Sequence, residues 1–217
     1  MKKVLTVLLA VFLLTGCSGG NNKLSSKWSD DQISINGKVI SMSMSFDEIL
    51  KKTESVYSTL TYGLIPKDVK VADIEFEYAE AISLKMTTKK ALDAEEHGSI
   101  EFLIVNPKES KQNMTKSIPL MIDIDMKNLD DFKSTEIEFP GGIKPRSKRD
   151  DVIKAYGDEY KEYGSSTIIY ILEEVDKGGK SDHVLQLKFN SEDELQGYQL
   201  INSQGVDTSK IKEHKFK

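Results

Sequence analysis

Three features of this sequence predict an α+β fold, made of two units that each pack a short amphipathic helix on an antiparallel β-meander. Two capped, apolar-periodic segments lie about a hundred residues apart, around Ile49-Leu50 and Val152-Ile153. Segments that alternate apolar and polar residues follow each of them. The 217 residues are 38% apolar and 30% charged, with 14 glycines and five prolines, which is the composition of a chain that buries a core and not of a low-complexity or disordered one.

The first unit opens at Ile33-Ser34-Ile35-Asn36-Gly37-Lys38-Val39-Ile40, where Asn-Gly between apolar runs suits a two-residue type I′ hairpin. Ser45-Phe46-Asp47-Glu48 then matches a capping box, and Phe46, Ile49, Leu50, Thr53, Tyr57 and Leu60 follow at helical spacing, predicting a helix from Phe46 to about Thr59. Strands are expected at Ile82–Met86, Ile100–Val105 and Leu120–Met126, the last with Leu120, Ile122, Ile124 and Met126 on one face and Asp123 and Asp125 on the other.

The second unit repeats the order. Glu136–Phe139 reads as a short strand, Gly141-Gly142 as a break, and Ser147–Tyr156 as a second capped helix with Val152, Ile153 and Tyr156 inward and Gly157 as its stop. Strands follow at Thr167–Leu172, Leu185–Phe189 and Gln199–Ile201, with Leu185, Leu187 and Phe189 alternating against Gln186 and Lys188, and 190–197 as a hairpin turn. The repeated order reads either as a degenerate internal duplication or as the coincidence of two common capped helices.

The N-terminus sets the compartment. Lys2 and Lys3 precede an eleven-residue run, Val4–Leu14, too short to span a bilayer but suited to a secretory signal, and Leu14-Thr15-Gly16-Cys17 follows as a lipobox. The division expected is residues 1–16 as a lipoprotein signal peptide, 17–31 as a flexible Gly/Asn/Ser-rich tether, 32–132 and 133–204 as the two α+β units, and 205–217 as a basic tail. Cys17, the single cysteine, is the lipidation site, an anchor and not a catalyst. Trp28 either touches the membrane interface or plugs into the domain.

The segment Gly142-Ile143-Lys144-Pro145-Arg146-Ser147-Lys148-Arg149-Asp150-Asp151-Val152-Ile153-Lys154-Ala155-Tyr156-Gly157 resembles one found in uncharacterised lipoproteins of Gram-positive bacteria, which also carry a stretch like Ile35–Ile40 before a short capped helix. More remotely, the order of elements is similar to the β-lactamase-inhibitor-protein-like fold and to the small lipoproteins of the outer-membrane barrel-assembly machinery. That resemblance implies short helices on an antiparallel sheet and an activity of binding other proteins. The turn here carries Lys144, Pro145 and Arg146 where that pattern has small residues, and no contact residue of those proteins transfers onto it.

Motifs for chemistry are sparse. His97, His183 and His214 form no metal-ligand spacing and read as solvated residues, and one cysteine excludes a thiolate metal cluster, so neither metal nor cofactor is expected. The sequence contains neither a Gly-x-Ser-x-Gly elbow nor a phosphate loop, and adjacent acids such as Asp150-Asp151 read as a wet face. Both arginines of the chain, however, fall in Lys144, Arg146, Lys148 and Arg149, at a helix N-terminus where positive charge opposes the macrodipole. This turn reads as an anion or partner site, with Tyr160 and Tyr163 as an aromatic rim, or as a surface turn neutralised by Asp150 and Asp151. On the first reading, reversing Arg146 and Arg149 to Glu leaves stability unchanged.

The function expected is therefore a non-catalytic interaction module, lipid-anchored on the extracytoplasmic face of the cell membrane. Its partners are the bilayer through Cys17 and an envelope protein or anionic polymer. Nucleic acid is disfavoured by a formal charge of −5 that loses two more lysines with the signal peptide. The alternatives are a ligand-capturing lipoprotein accessory to a transporter, or a wall-polymer hydrolase using carboxylates that converge in the fold.

Overall fold

A computed structural model describes residues 23–53, 59–61, 73–87, 99–127, 135–175, 180–203 and 205–215. The elements in order are β1 (Gln32–Ile35), β2 (Lys38–Ser41), α1 (Phe46–Thr53), β3 (Thr59–Thr61), β4 (Glu75–Phe76), β5 (Glu80–Thr87), β6 (Ser99–Val105), β7 (Gln112–Asn113), β8 (Ile118–Asp125), β9 (Ile137–Glu138), α2 (Arg149–Tyr156), β10 (Lys161–Tyr163), β11 (Thr167–Val175), β12 (Lys180–Phe189), β13 (Leu195–Asn202) and β14 (Lys212–Glu213). The fold is α+β.

The central finding is one sheet in the order β10-β11-β12-β13-β8-β6-β5-β14, with β3 also on β5. Strands from both halves of the chain belong to it, joined where β13 pairs antiparallel with β8 from Gly197↔Asp125 to Ile201↔Met121. Two rows of side chains run across this seam on one face. Leu84, Phe102, Ile122, Leu200, Leu185 and Tyr170 are register neighbours, and so are Ile100, Ile124, Tyr198, Leu187 and Ile168. All are buried in a single core cluster with Phe46 and Ile49 of α1, Val152 of α2, and Ile33, Ile35 and Ile40 of the first hairpin. Each such side chain contributes about 1.5–3 kcal/mol of transfer free energy, so the shared sheet gives both halves one hydrophobic core.

The hairpin forms as its Asn-Gly pair predicts: Asn36 (φ 49) and Gly37 (φ 73) take the positive-φ turn, and Ile35 pairs with Lys38. Asn36 does more than turn. Its backbone N–H donates to Glu136 O at 2.8 Å and its Oδ1 accepts from Glu136 N at 2.7 Å, which brings β9 against β1. The α1 capping box also forms, with Glu48 Oε2 accepting from Ser45 N at 2.8 Å and Ser45 Oγ accepting from Glu48 N at 3.4 Å. The Ser45 backbone and hydroxyl bonds hold the Glu48 carboxyl below its ordinary pKa.

Several boundaries differ from the sequence expectation. The first helix is described as far as Thr53, and Thr59, expected to be helical, belongs to β3; residues 54–58, with Tyr57, lie outside the described residues. Thr53, buried, turns its hydroxyl back onto Ile49 O at 2.8 Å. The second helix begins at Arg149, with Lys148 in the N-cap position and no side-chain cap. Ser147, expected to cap it, instead accepts Lys144 N–H at 3.0 Å. Leu120 leaves the face of Ile122, Ile124 and Met126, because the β6–β8 register shifts between Leu103 and Ile104; it joins a second cluster with Ala79, Ala81, Val105 and Val206.

The C-terminal segment, read from sequence as a tail, supplies Val206 to that cluster and pairs β14 parallel with β5. His214 there is not a solvated residue: its Nδ1 lies 3.1 Å from Glu80 Oε2 and its ring is 5.1 Å from that of Phe76. His97 lies outside the described residues.

At the seam, Tyr198 stacks on Phe139 with centroids 4.0 Å apart and planes 8° from parallel, and is fully buried. Its hydroxyl has no hydrogen-bond partner among the described residues, and burial, with the nearby Asp31 charge, pushes the phenol well above its ordinary pKa. An unpaired buried hydroxyl costs about 1–3 kcal/mol. Tyr198→Phe should therefore raise unfolding free energy by about 1 kcal/mol in urea denaturation; a comparable loss would show that the hydroxyl is bonded in solution.

Candidate functional site

The basic turn is held by the β12–β13 hairpin loop. Arg146 N donates to Leu195 O and Arg149 N to Asp193 O, each at 3.0 Å, while Leu195 N returns a bond to Ser147 O at 2.9 Å. The loop itself is built on Asn190, whose Oδ1 accepts from Glu192 N and Glu194 N at 2.9 Å. The turn thus runs beside the loop like a short strand.

Three of its four cations face carboxylates of the same chain. Lys144 Nζ lies 2.9 Å from Glu136 Oε1 and 3.9 Å from Glu138 Oε2. Lys148 donates to Glu194 Oε1 at 3.2 Å and to Glu192 O at 3.0 Å. Bonds from Lys148 and Asn190 lower the Glu194 pKa, with a smaller part from the Arg146 charge. Arg149 is the most enclosed, its side chain 16% exposed: Nε donates to Asp193 at 3.1 Å, Nη2 to Ser165 O at 2.6 Å, and the guanidinium sits 4.7 Å over the Phe189 ring. Arg146 is exposed at φ 65, and its guanidinium makes no hydrogen bond to a described side chain.

Of the expected aromatic rim, Tyr163 on β10 is 76% exposed. Tyr160 is partly buried against the core, 5.8 Å from the Tyr170 ring. Tyr156, assigned to the core, donates to Pro140 O at 2.8 Å, and its burial pushes the phenol pKa up.

A second constellation was not visible in the sequence. Asp31, in left-handed backbone at φ 55, accepts from Asn202 Nδ2 at 2.6 Å through one carboxylate oxygen, and its other lies 2.5 Å from His183 Nε2. His183 is thus buried and paired, not solvated as expected. Trp28 is buried beside it, edge-on to His183 at 5.2 Å and 6.1 Å from Tyr170. These partners lie more than 140 positions away in sequence, beyond any local pattern.

The face of the sheet opposite the core carries two more rows. Leu103, Met121, Ile201, Val184 and Ile171 are register neighbours across five strands, half-buried and apolar. Beside them Glu101, Asp123, Gln199 and Gln186 form a polar row. Gly197 interrupts the side chains here, leaving a hollow of about 80 Å³ rimmed by Asp123, Asp125, Gln186 and Lys188, room for a few waters. Asp123 accepts from Gln199 Nε2 at 3.0 Å, and burial raises its pKa against the opposing bond from Gln199 and charge of Lys188. Among the described residues, no group of three or more His, Cys, Asp or Glu is placed to hold a metal ion.

Comparison with known proteins identifies one segment. The family model for a prokaryotic membrane lipoprotein lipid attachment site matches residues 1–18, a segment that contains the single cysteine of the chain, Cys17. The chain is therefore a membrane-associated lipoprotein held by a lipid anchor. No helix among the described residues is long and apolar enough to cross a membrane. No curated protein and no solved structure matches the chain.

Two predictions follow from this geometry. Arg149→Glu should lower stability by more than about 1 kcal/mol, because it places a carboxylate against Asp193 and Ser165 O, while Arg146→Glu should stay within about 0.5 kcal/mol of the parent by urea denaturation. For Arg149 this differs from the unchanged stability expected on the anion-site reading, because its guanidinium is bonded within the fold. Asp123 binds its proton more tightly in the folded chain, so its contribution to stability falls as pH rises above the ordinary value of 3.8. Asp123→Asn should therefore raise the melting temperature at neutral pH, with the gain vanishing below pH 3.8; a loss at neutral pH would contradict it.

Proposed function

We propose that this lipoprotein is a non-catalytic interaction module on the extracytoplasmic face of the membrane, and that it binds an envelope protein through the outer face of its sheet. One observation carries this reading: the row Met121, Ile201, Val184 and Ile171 is apolar, spans four strands from the second cluster on which Leu103 packs, and lies on the face away from the two described helices, bordered by the polar row Glu101, Asp123, Gln199 and Gln186. Apolar centre beside polar rim is the anatomy of a protein contact. The hollow over Gly197 is too small for a sugar residue, which weighs against a wall-polymer hydrolase using Asp123.

The basic turn is the weaker candidate for the contact, since Lys144, Lys148 and Arg149 already have carboxylate partners. Arg146 and the exposed Tyr163 are what it offers to an anionic partner. The likeness of Gly142–Gly157 to a segment of uncharacterised Gram-positive lipoproteins supports the envelope setting. The repeated order, a helix followed by three neighbouring strands (β5, β6, β8 and then β11, β12, β13), supports an internal duplication whose copies meet at β8 and β13.

The test is site-specific photocrosslinking in intact cells. A photoreactive residue at Met121 or Val184 should give the same discrete protein adduct, and Met121→Asp should abolish the Val184 adduct while leaving the melting temperature within a few degrees. Adducts only from probes at Arg146 or Tyr163 would move the contact to the basic turn. Equal adducts from all positions would overturn the reading.

A further inference from the structure

We propose that the segment leading from the lipid anchor is locked into the domain, so that the side formed by Lys23, Ser26, Lys27, Gly141 and Gly142 stays toward the bilayer and the opposite side cannot turn to it. The segment is fastened at three points. Gly141 N donates to Ser25 O at 3.3 Å, and Ser25 N donates to Gln32 Oε1 at 3.2 Å. Trp28 is buried between Tyr170 and His183. Asp31 is held by His183 and Asn202.

Fastening changes the reach of the anchor. Between Cys17 and Ser25, the first fastened residue, stand seven residues, Ser18 to Leu24. Fully extended they let the domain stand off by about 25 Å, and as a flexible chain by about 15 Å. A domain of this length is about 40 Å across. The spacer is thus too short to let the far side turn toward the membrane. Were the chain free up to Gln32, the reach would be about 50 Å, and any side could face the lipid. Docking converts a leash that permits all orientations into one that excludes those with the far side toward the membrane.

Charge does not account for the choice of side. Lys23, Lys27 and Lys144 there are offset by Asp30, Glu136 and Glu138. Orientation by spacer length therefore holds on zwitterionic lipid as well as on anionic lipid. The consequence for the chain is that the surface around Thr208, at the β5 edge and five inter-strand steps or about 24 Å across the sheet from β11, is kept toward the envelope space.

The experiment uses the full lipidated chain in phosphatidylcholine vesicles containing a headgroup-labelled energy acceptor. Because the only native cysteine carries the lipid, Lys27→Cys and Thr208→Cys each introduce a single free thiol for a donor dye. Transfer from the Lys27 position should exceed that from Thr208 several-fold. Inserting a flexible Gly-Ser stretch of about twenty residues between Ser18 and Lys23, which leaves the folded part untouched, should bring the two positions close to equal. Equal transfer from both positions without the insertion would overturn the proposal. So would a contrast that survives the insertion, since the orientation would then come from surface attraction and not from the spacer.

Discussion

The antiparallel pairing of β8 with β13 is the constraint on which the rest of the molecule depends. Met121–Asp125 and Gly197–Ile201 come from different halves of the chain, and their backbone ladder makes one sheet where two separate ones were expected. Ile122 and Ile124 thereby meet Leu200 and Tyr198 inside one core, and Phe139, carried in from the start of the second half, stacks on Tyr198 over the same seam. A half-sheet alone would leave a long apolar edge in water. The seam also sets the outer face, because the apolar and polar rows cross from one half to the other only through the register 121↔201 and 123↔199.

Around this sheet the chain uses its own ends as fasteners. The entering segment is tied by Trp28 and Asp31 to β11, β12 and Asn202 at one edge, and the leaving segment is tied by Val206, β14 and His214 at the other. Asp31 illustrates how a charge is tolerated inside. Two side-chain groups face its two oxygens, so the carboxylate is not left unpaired away from water. The lipid anchor lies beyond one fastened end, and the outer face of the sheet stays clear of the two described helices.

Sequence patterning carried the strands and turns well, because local rules govern them. Asn36-Gly37 requires positive φ at both positions, and alternation along Leu185–Phe189 and Ile122–Met126 fixes which side faces the core. What escaped were properties set by distant contacts. The Ser147–Lys144 bond took away the cap from which periodicity had started the second helix. The shift between Leu103 and Ile104 moved Leu120 to the other cluster. Arg149 looked free because Asp193 and Ser165 are far along the chain, and His183 looked solvated because Asp31 is farther still. The lipobox was legible because its four parts are consecutive.

Native-state hydrogen exchange at the seam tests this account most directly. Amides of Met121–Asp125 and Gly197–Ile201 should exchange only through global unfolding, with protection equal to the unfolding free energy measured by denaturant and lost in a single cooperative transition. Exchange of these amides at much lower free energy than those of β6 and β12, or two separate transitions for the halves, would contradict the claim that one sheet unites the molecule.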